Sequence, residues 1–280
     1  MTPHAALCSK APAVAGRNAA ASQPEGMRRH ALYAWPEIAR VLRPAAMRCL
    51  FLDFDGTLAP IRRRPEKVRC APRLRKLLAR LAARPDFWIG IVSGRRTKTL
   101  ERVIAVPGLH YRGVYGAESE ESPLRLSAAA RQALARSRRS LARRLRNLRG
   151  VWMEDKGLSF AVHYRGASER AVAGALAALG AALAPAARFL RVISGRKTWE
   201  VVPRQIPGKG AAVSAVMQSL PRHTVAAYIG DDAADEDAFE ALPDGITIRV
   251  GPLGNSRARY FLRSPAEVYQ WLLRVEEAVK

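Results

Sequence analysis

Cys49-Leu50-Phe51-Leu52-Asp53-Phe54-Asp55-Gly56-Thr57-Leu58 begins as an apolar run and ends in two acids. The run reads as a short buried strand that delivers Asp53 and Asp55, with Gly56 and Thr57 turning the chain. An unpaired buried carboxylate costs several kcal/mol as a rough figure, so both charges need compensation. A divalent cation together with a phosphate is the simplest answer.

Outward from this stretch the pattern is α/β. Met47 to Asp53 is the strand, and Pro72 to Arg84 follows as a helix with Leu74, Leu77, Leu78 and Leu81 at i, i+3, i+4 and i+7. Phe87 to Val92 is a second strand whose apolar residues are consecutive, as in a parallel sheet covered on both faces. Strand, helix, strand implies a doubly wound sheet. The middle of the chain differs. Ser127 to Arg149 is predicted to be a helix with Leu134, Leu141, Leu145 and Leu148 on one face and arginines elsewhere. Val151 to Lys156 and Leu158 to Arg165 read as a hairpin around Gly157. An Ala-rich surface helix follows, and Phe189 to Ile193 with Lys197 to Val202 form a second hairpin. Two helix-plus-hairpin units suggest a small α+β insertion, with weak sequence repetition. The α/β pattern then resumes with a helix from Lys209 to Ser219, strands at Val225 to Ile229 and Ile246 to Val250, and a closing helix from Pro265 to Val279.

The 280 residues can hold one large domain or two smaller ones, and an apolar fraction of 49% supplies their cores. A net charge of +23 favours anionic partners, from sugar phosphates to nucleic acid. Heavy use of Ala and Arg throughout accounts equally well for that charge. The arginine-bearing helix lacks the aromatic interleaving of single-strand binders, so nucleic acid is not expected as a partner. Cys8, Cys49 and Cys70 have no metal-ligand spacing, and their odd number argues against a disulfide framework, which suits a reducing cytoplasm. The longest apolar run, Ala171 to Ala187, is too short and too weakly hydrophobic to span a membrane. Residues 1–46 read as a disordered basic tail. A transit peptide is the alternative there, because the first 36 residues carry one acid, Glu25.

Four groups fall at strand or helix ends, where ligands bind in open α/β sheets. They are Asp53, Asp55 and Thr57; Ser93, Gly94 and Arg95; Lys209; and Asp231, Asp232 and Asp235. In this order they resemble the four motifs of the haloacid-dehalogenase (HAD) phosphohydrolases. The resemblance implies an HAD-like Rossmann-type core with a parallel sheet, formed by residues 47–119 and 205–280. An inserted C2-type α+β cap would occupy residues 120–204. It also implies Mg²⁺ as cofactor, with Asp53, Asp55, Asp231, Asp232 and Asp235 around it. Asp53 would be the nucleophile and Asp55 the general acid and base. Ser93 and Lys209 would act on the phosphate, and Thr57, Gly94 and Arg95 would line its site.

The inserted segment narrows the substrate. Gly113 to Glu118, Glu154 to Arg165, Gly195 to Pro203 and Gly230 to Asp237 resemble stretches of the trehalose-6-phosphate phosphatase family. By position, Glu118, Lys156, Lys197 and Glu200 become the expected sugar contacts. A Lys156–Glu200 salt bridge on the cap is the plainer reading of that pair, and His163 and Arg165 are expected to be structural. The resemblance implies a phosphoric monoester hydrolase acting on trehalose 6-phosphate, functionally linked to a trehalose-phosphate synthase. Rival readings are an HAD phosphatase for sucrose 6-phosphate, mannosyl-3-phosphoglycerate or a hexose phosphate, a polyanion-binding protein, and a degenerate scaffold. Tyr115 stands where the family commonly has His, and Ala234 where Thr is usual. Pro207-Gly208 precedes Lys209 where Asn is frequent.

Overall fold

The computed structural model describes residues 28–62, 67–119, 124–195, 197–252 and 254–280. Cys8, Glu25, the first 27 residues of the expected tail and Arg196 of the second hairpin lie outside them. In chain order the elements are β1 (Arg29–His30), α1 (Trp35–Leu42), β2 (Arg48–Leu52), α2 (Pro72–Ala82), β3 (Phe87–Val92), α3 (Thr97–Ile104) and β4 (His110–Arg112). Next come α4 (Ala128–Leu145), β5 (Trp152–Asp155), β6 (Phe160–His163), α5 (Glu169–Leu183), β7 (Leu190–Gly195) and β8 (Thr198–Pro203). The chain closes with α6 (Lys209–Ser219), β9 (Val225–Gly230), α7 (Glu236–Glu240), β10 (Ile246–Val250), β11 (Tyr260–Leu262) and α8 (Pro265–Ala278).

The larger sheet has the order β1-β11-β10-β9-β2-β3-β4, and among the described residues all its strand pairings are parallel. All five residues of β2 are buried because both faces are covered. Leu50 and Leu52 pack with Leu77, Leu78, Leu100 and Trp271 from α2, α3 and α8. Cys49 and Phe51 pack on the opposite face with Val213, Val216 and Phe239 from α6 and α7. The consecutive apolar run therefore alternates between two cores. The chain crosses from β2 to β3 on one side and returns to β9 on the other. That reversal puts the carboxyl ends of β2, β3 and β9 side by side, at a topological switch point.

The second sheet is antiparallel with the order β5-β6-β8-β7, so the inner strands of the two hairpins pair with each other. Helices α4 and α5 cover one face, where Leu134, Leu141 and Leu179 meet Phe160, Val162, Trp199 and Val201. Ser127 and Ser168 cap these helices, accepting hydrogen bonds from Ala130 N and Ala171 N at 3.2 Å. The other face turns toward the first sheet. There Ile193 and Val202 pack with Val114, Tyr115, Ala117 and Ala234.

Two expectations need correction. The tail does not extend to residue 46, because residues from Arg29 onward belong to the core. β1 adds a parallel edge to β11, and α1 buries Ile38, Ala39 and Leu42. Trp35 meets Trp271 edge-to-face at 6.2 Å. An eight-residue helix shows too few turns for a sustained period, so its sequence does not announce it. The arginine-bearing helix also stops at Leu145 rather than Arg149, although Leu148 still packs against the second core.

Candidate active site

β2 ends at Leu52, and Asp53 continues the pairing through a backbone hydrogen bond to Ile229 O at 2.9 Å. β9 ends at Gly230, so Asp231 emerges beside Asp53. Oxygens of Asp53, Asp231 and Asp235 lie within 4.8 Å of one another, and all three residues are buried. Lys209, the first residue of α6, donates to Asp53 Oδ1 at 2.8 Å and to Asp235 Oδ1 at 2.7 Å. Tyr228 donates its hydroxyl to Asp235 Oδ1 at 2.6 Å, and Asp232 N donates to Asp235 Oδ2 at 2.9 Å.

The electrostatics are unbalanced. Burial pushes the Asp53 carboxyl up to about 7, with Lys209 opposing and Asp235 adding to the rise. Burial, then Asp53 and Asp235, push Asp231 up to about 9. Burial alone would depress Lys209, but Asp235 and Asp53 outweigh it and hold the amine charged. Three carboxylates thus surround one ammonium. An all-oxygen donor set with surplus negative charge fits a hard divalent cation. Two glycines make this crowding possible. Gly56 has φ +92°, and a Cβ there would stand 2.1 Å from Asp231 Oδ2; a Cβ on Gly230 would stand 2.3 Å from Asp235 Cγ.

Around the acids are groups suited to an anion. Thr57 is fully buried, and its Oγ1 has no hydrogen-bond partner among the described residues. A buried hydroxyl without a protein acceptor fits a phosphate oxygen. Ser93 is buried at the end of β3, and its Oγ accepts from Arg95 N at 3.3 Å. Arg95 grips Asp55 with two hydrogen bonds, of 2.5 and 2.7 Å.

The second sheet reaches this centre through Glu200 on β8. Glu200 is buried and accepts from Tyr115 Oη at 3.0 Å, Lys156 Nζ at 2.7 Å and Ser159 Oγ at 2.7 Å. Lys156 also donates to Gly94 O at 3.2 Å, so Lys156 and Glu200 tie the two sheets together. Tyr115 is held there at the cost of backbone strain: it and Val114 have φ of 57° and 47° without being glycine. Its amide donates to Ser93 O at 2.9 Å and that of Val114 to Arg95 O at 2.8 Å. Burial, reinforced by Glu200, raises the phenol well above its usual range and keeps it a donor.

The structure brings together Asp53, Asp231, Asp235 and Lys209, with Thr57, Ser93 and Gly94 beside Asp55 and Arg95. Other expected contacts stand elsewhere. The Asp232 carboxylate accepts from Ala233 N at 2.7 Å, capping a short 3₁₀ turn, and lies outside the three-acid cluster. Glu118 accepts from Thr97 N at 2.9 Å and Arg96 Nε at 3.3 Å, so its carboxylate serves the amino end of α3. Lys197 is exposed, at φ 64°, in the β7–β8 turn. Sequence reasoning missed Tyr228 and Ser159. Tyr228 carries the lone side-chain hydroxyl in the run Val225 to Gly230, and a buried phenol needs a partner, which was a usable signal.

Fold and site together define a capped HAD-like protein. Within that class the chain belongs to the trehalose-phosphatase family, whose sequence model matches residues 51–265. A trehalose-phosphate phosphatase of Mycobacterium tuberculosis is 32% identical over 245 residues, covering 82% of this chain and 62% of the relative. A second M. tuberculosis protein, described as an uncharacterized glycosyl hydrolase, is 34% identical over 273 residues, covering 89% of this chain and 20% of the relative. The chain therefore spans less than two thirds of the length of these relatives. The C-terminal domain of Candida albicans trehalose-6-phosphate phosphatase shares the fold, with TM-score 0.77 at 20% identity over 91% of this chain and 99% of that one. Among the described residues no helix is long and apolar enough to cross a membrane.

Proposed function

We propose that this chain hydrolyses trehalose 6-phosphate to trehalose and phosphate. The observation that carries the reading is the buried Asp53–Lys209–Asp231–Asp235 centre, lying beneath a sheet that presents Glu200 and Lys156 to it, in a chain of this family. Lys209 holds one oxygen of Asp53, and the other attacks phosphorus as the ester bond breaks. Asp55 gives its proton to the departing sugar oxygen. It then takes a proton from the water that opens the aspartyl-phosphate, which releases phosphate and restores Asp53. For this, Asp55 must part from Arg95, whose guanidinium can then follow the phosphate dianion. Thr57 Oγ1 and Ser93 Oγ donate to phosphate oxygens. Mg²⁺ held by Asp53, Asp231 and Asp235 would neutralise the surplus carboxylate charge and that of the ester.

The sugar is read by Glu200 and Lys156, whose acceptor and donor atoms suit vicinal hydroxyls. A trehalose-phosphate synthase would supply the substrate. A reducing cytoplasm suits Cys49 and Cys70, both buried free thiols. Phosphate release from trehalose 6-phosphate should require Mg²⁺, exceed that from sucrose 6-phosphate or glucose 6-phosphate, and vanish in Asp53→Asn. Preference for another ester would retain the core chemistry and overturn the substrate.

A further inference from the structure

Strand register sorts the second sheet into rows on the face that meets the core. Trp152, His163, Thr198 and Gly195 stand opposite one another in one row, and Glu154, Ala161, Glu200 and Ile193 in the next. The rows are about 7 Å apart, two residues along each strand. The Glu200 row touches Tyr115, and the Gly195 end of the other row lies against Asp232. Trp152 thus stands at the outer edge of the face that roofs the acidic centre, on edge strand β5.

Most large apolar side chains here are buried, yet Trp152 is 43% exposed. Its indole stacks on the His163 ring, with centroids 4.0 Å apart and planes 14° from parallel. His163 Nε2 donates to Glu154 at 2.9 Å, which fixes the backing ring. Burial would push the Glu154 carboxyl up, but His163, Lys156 and Arg95 outweigh burial and hold it below the usual range. Glu154, with His163 and Trp152 beside it, thus stands within electrostatic reach of Arg95, which grips Asp55 on the core side.

We infer that Trp152, backed by His163 and flanked by Glu154, is a stacking platform for the glucosyl ring that carries no phosphate. This rests on the trehalose 6-phosphate reading. A pyranose has an apolar C–H face that packs on an indole, and rim hydroxyls that donate to a neighbouring carboxylate. A ring already fixed by His163 and Glu154 loses little freedom when the sugar arrives. A small phosphate ester would occupy the acidic centre without reaching the platform.

Two measurements test this. Trp152→Ala should raise KM for trehalose 6-phosphate about tenfold, the loss expected for one aromatic contact, with kcat within about twofold. Its kcat/KM for p-nitrophenyl phosphate should match wild type. An unchanged KM, or an equal loss on both substrates, overturns the platform. The second uses Asp53→Asn, which holds substrate without turnover. Trehalose 6-phosphate should shield Trp152 from acrylamide quenching, while inorganic phosphate should not. If wild type hydrolyses trehalose 6-phosphate and Trp152 stays accessible, the platform falls and the proposed function stands. If wild type ignores trehalose 6-phosphate and Trp152 stays accessible, both fall.

Discussion

Asp231 illustrates how a single residue can serve chemistry at the expense of stability. Burial, reinforced by neighbouring like charges, pushes its carboxyl from the ordinary 3.8 up to about 9. The folded state therefore binds this proton more tightly than the unfolded chain does. Asp231 favours folding most below about pH 4, and that advantage shrinks as pH rises toward 9. In EDTA, the melting temperature of wild type should fall relative to that of Asp231→Asn between about pH 5 and pH 9, because Asn carries no charge there. Mg²⁺ should raise the melting temperature of wild type and not that of the variant, which should be inactive. Parallel melting curves across pH would show that Asp231 is not strained. The acids were legible from sequence because a buried strand rarely ends in carboxylates. Their division of labour was not: Asp235 joins the cluster, whereas Asp232 caps a turn, and only side-chain direction separates them.

At the scale of elements, the decisive contact joins the β3–β4 side of the core to β8. Glu200 receives three hydrogen bonds, and one comes from Tyr115 across the seam. Two of these bonds share Oε2 and join β8 to Tyr115 and Lys156, so they act as a latch between the sheets. Oε1, bonded among the described residues to Ser159 alone, keeps an acceptor site for a sugar hydroxyl. Tyr115→Phe removes a donor and preserves the packing; the lost bond is worth about 1–3 kcal/mol. In the absence of ligand, amide exchange in β8 should quicken several-fold, and trehalose should slow it again. Exchange in β8 identical to wild type would dismiss the latch. Both hairpins were readable from the sequence, although the second turns only after Gly195, because Ser194 and Gly195 themselves pair with Trp199 and Thr198. The pairing of β6 with β8, which places Glu200 at the centre of the sheet, follows from contacts far apart in sequence.

For the whole molecule, the main surprise lies at the amino end. α1 and β1 carry little periodic signal, yet Leu42 is fully buried and packs in the same core as Leu50 and Trp271. Leu42→Ala should destabilise the protein by about 2–5 kcal/mol, measured by urea denaturation. A loss below about 0.5 kcal/mol, as at an exposed site, would return this segment to the tail. The arginines of α4 raise a different point. Arg131, Arg136, Arg139, Arg143 and Arg144 are exposed on a helix whose other side is buried against α5, so their spacing reflects amphipathicity before any partner.

Local pattern alone determined the doubly wound core, the inserted helix-and-hairpin units and the carboxylates, lysine and serine at strand or helix ends. Each of these leaves its mark within a few residues: an apolar run, a helical period, an acid where burial forbids one. Tertiary structure decided the rest. It converted Glu118 into a helix cap, joined Glu200 to Tyr115, folded α1 onto the core and stacked Trp152 on His163 at the edge of the second sheet. The reason is physical. A side chain's type limits the partners it can take, but the partner it has depends on strand register, sheet order and packing set by residues far away in the chain.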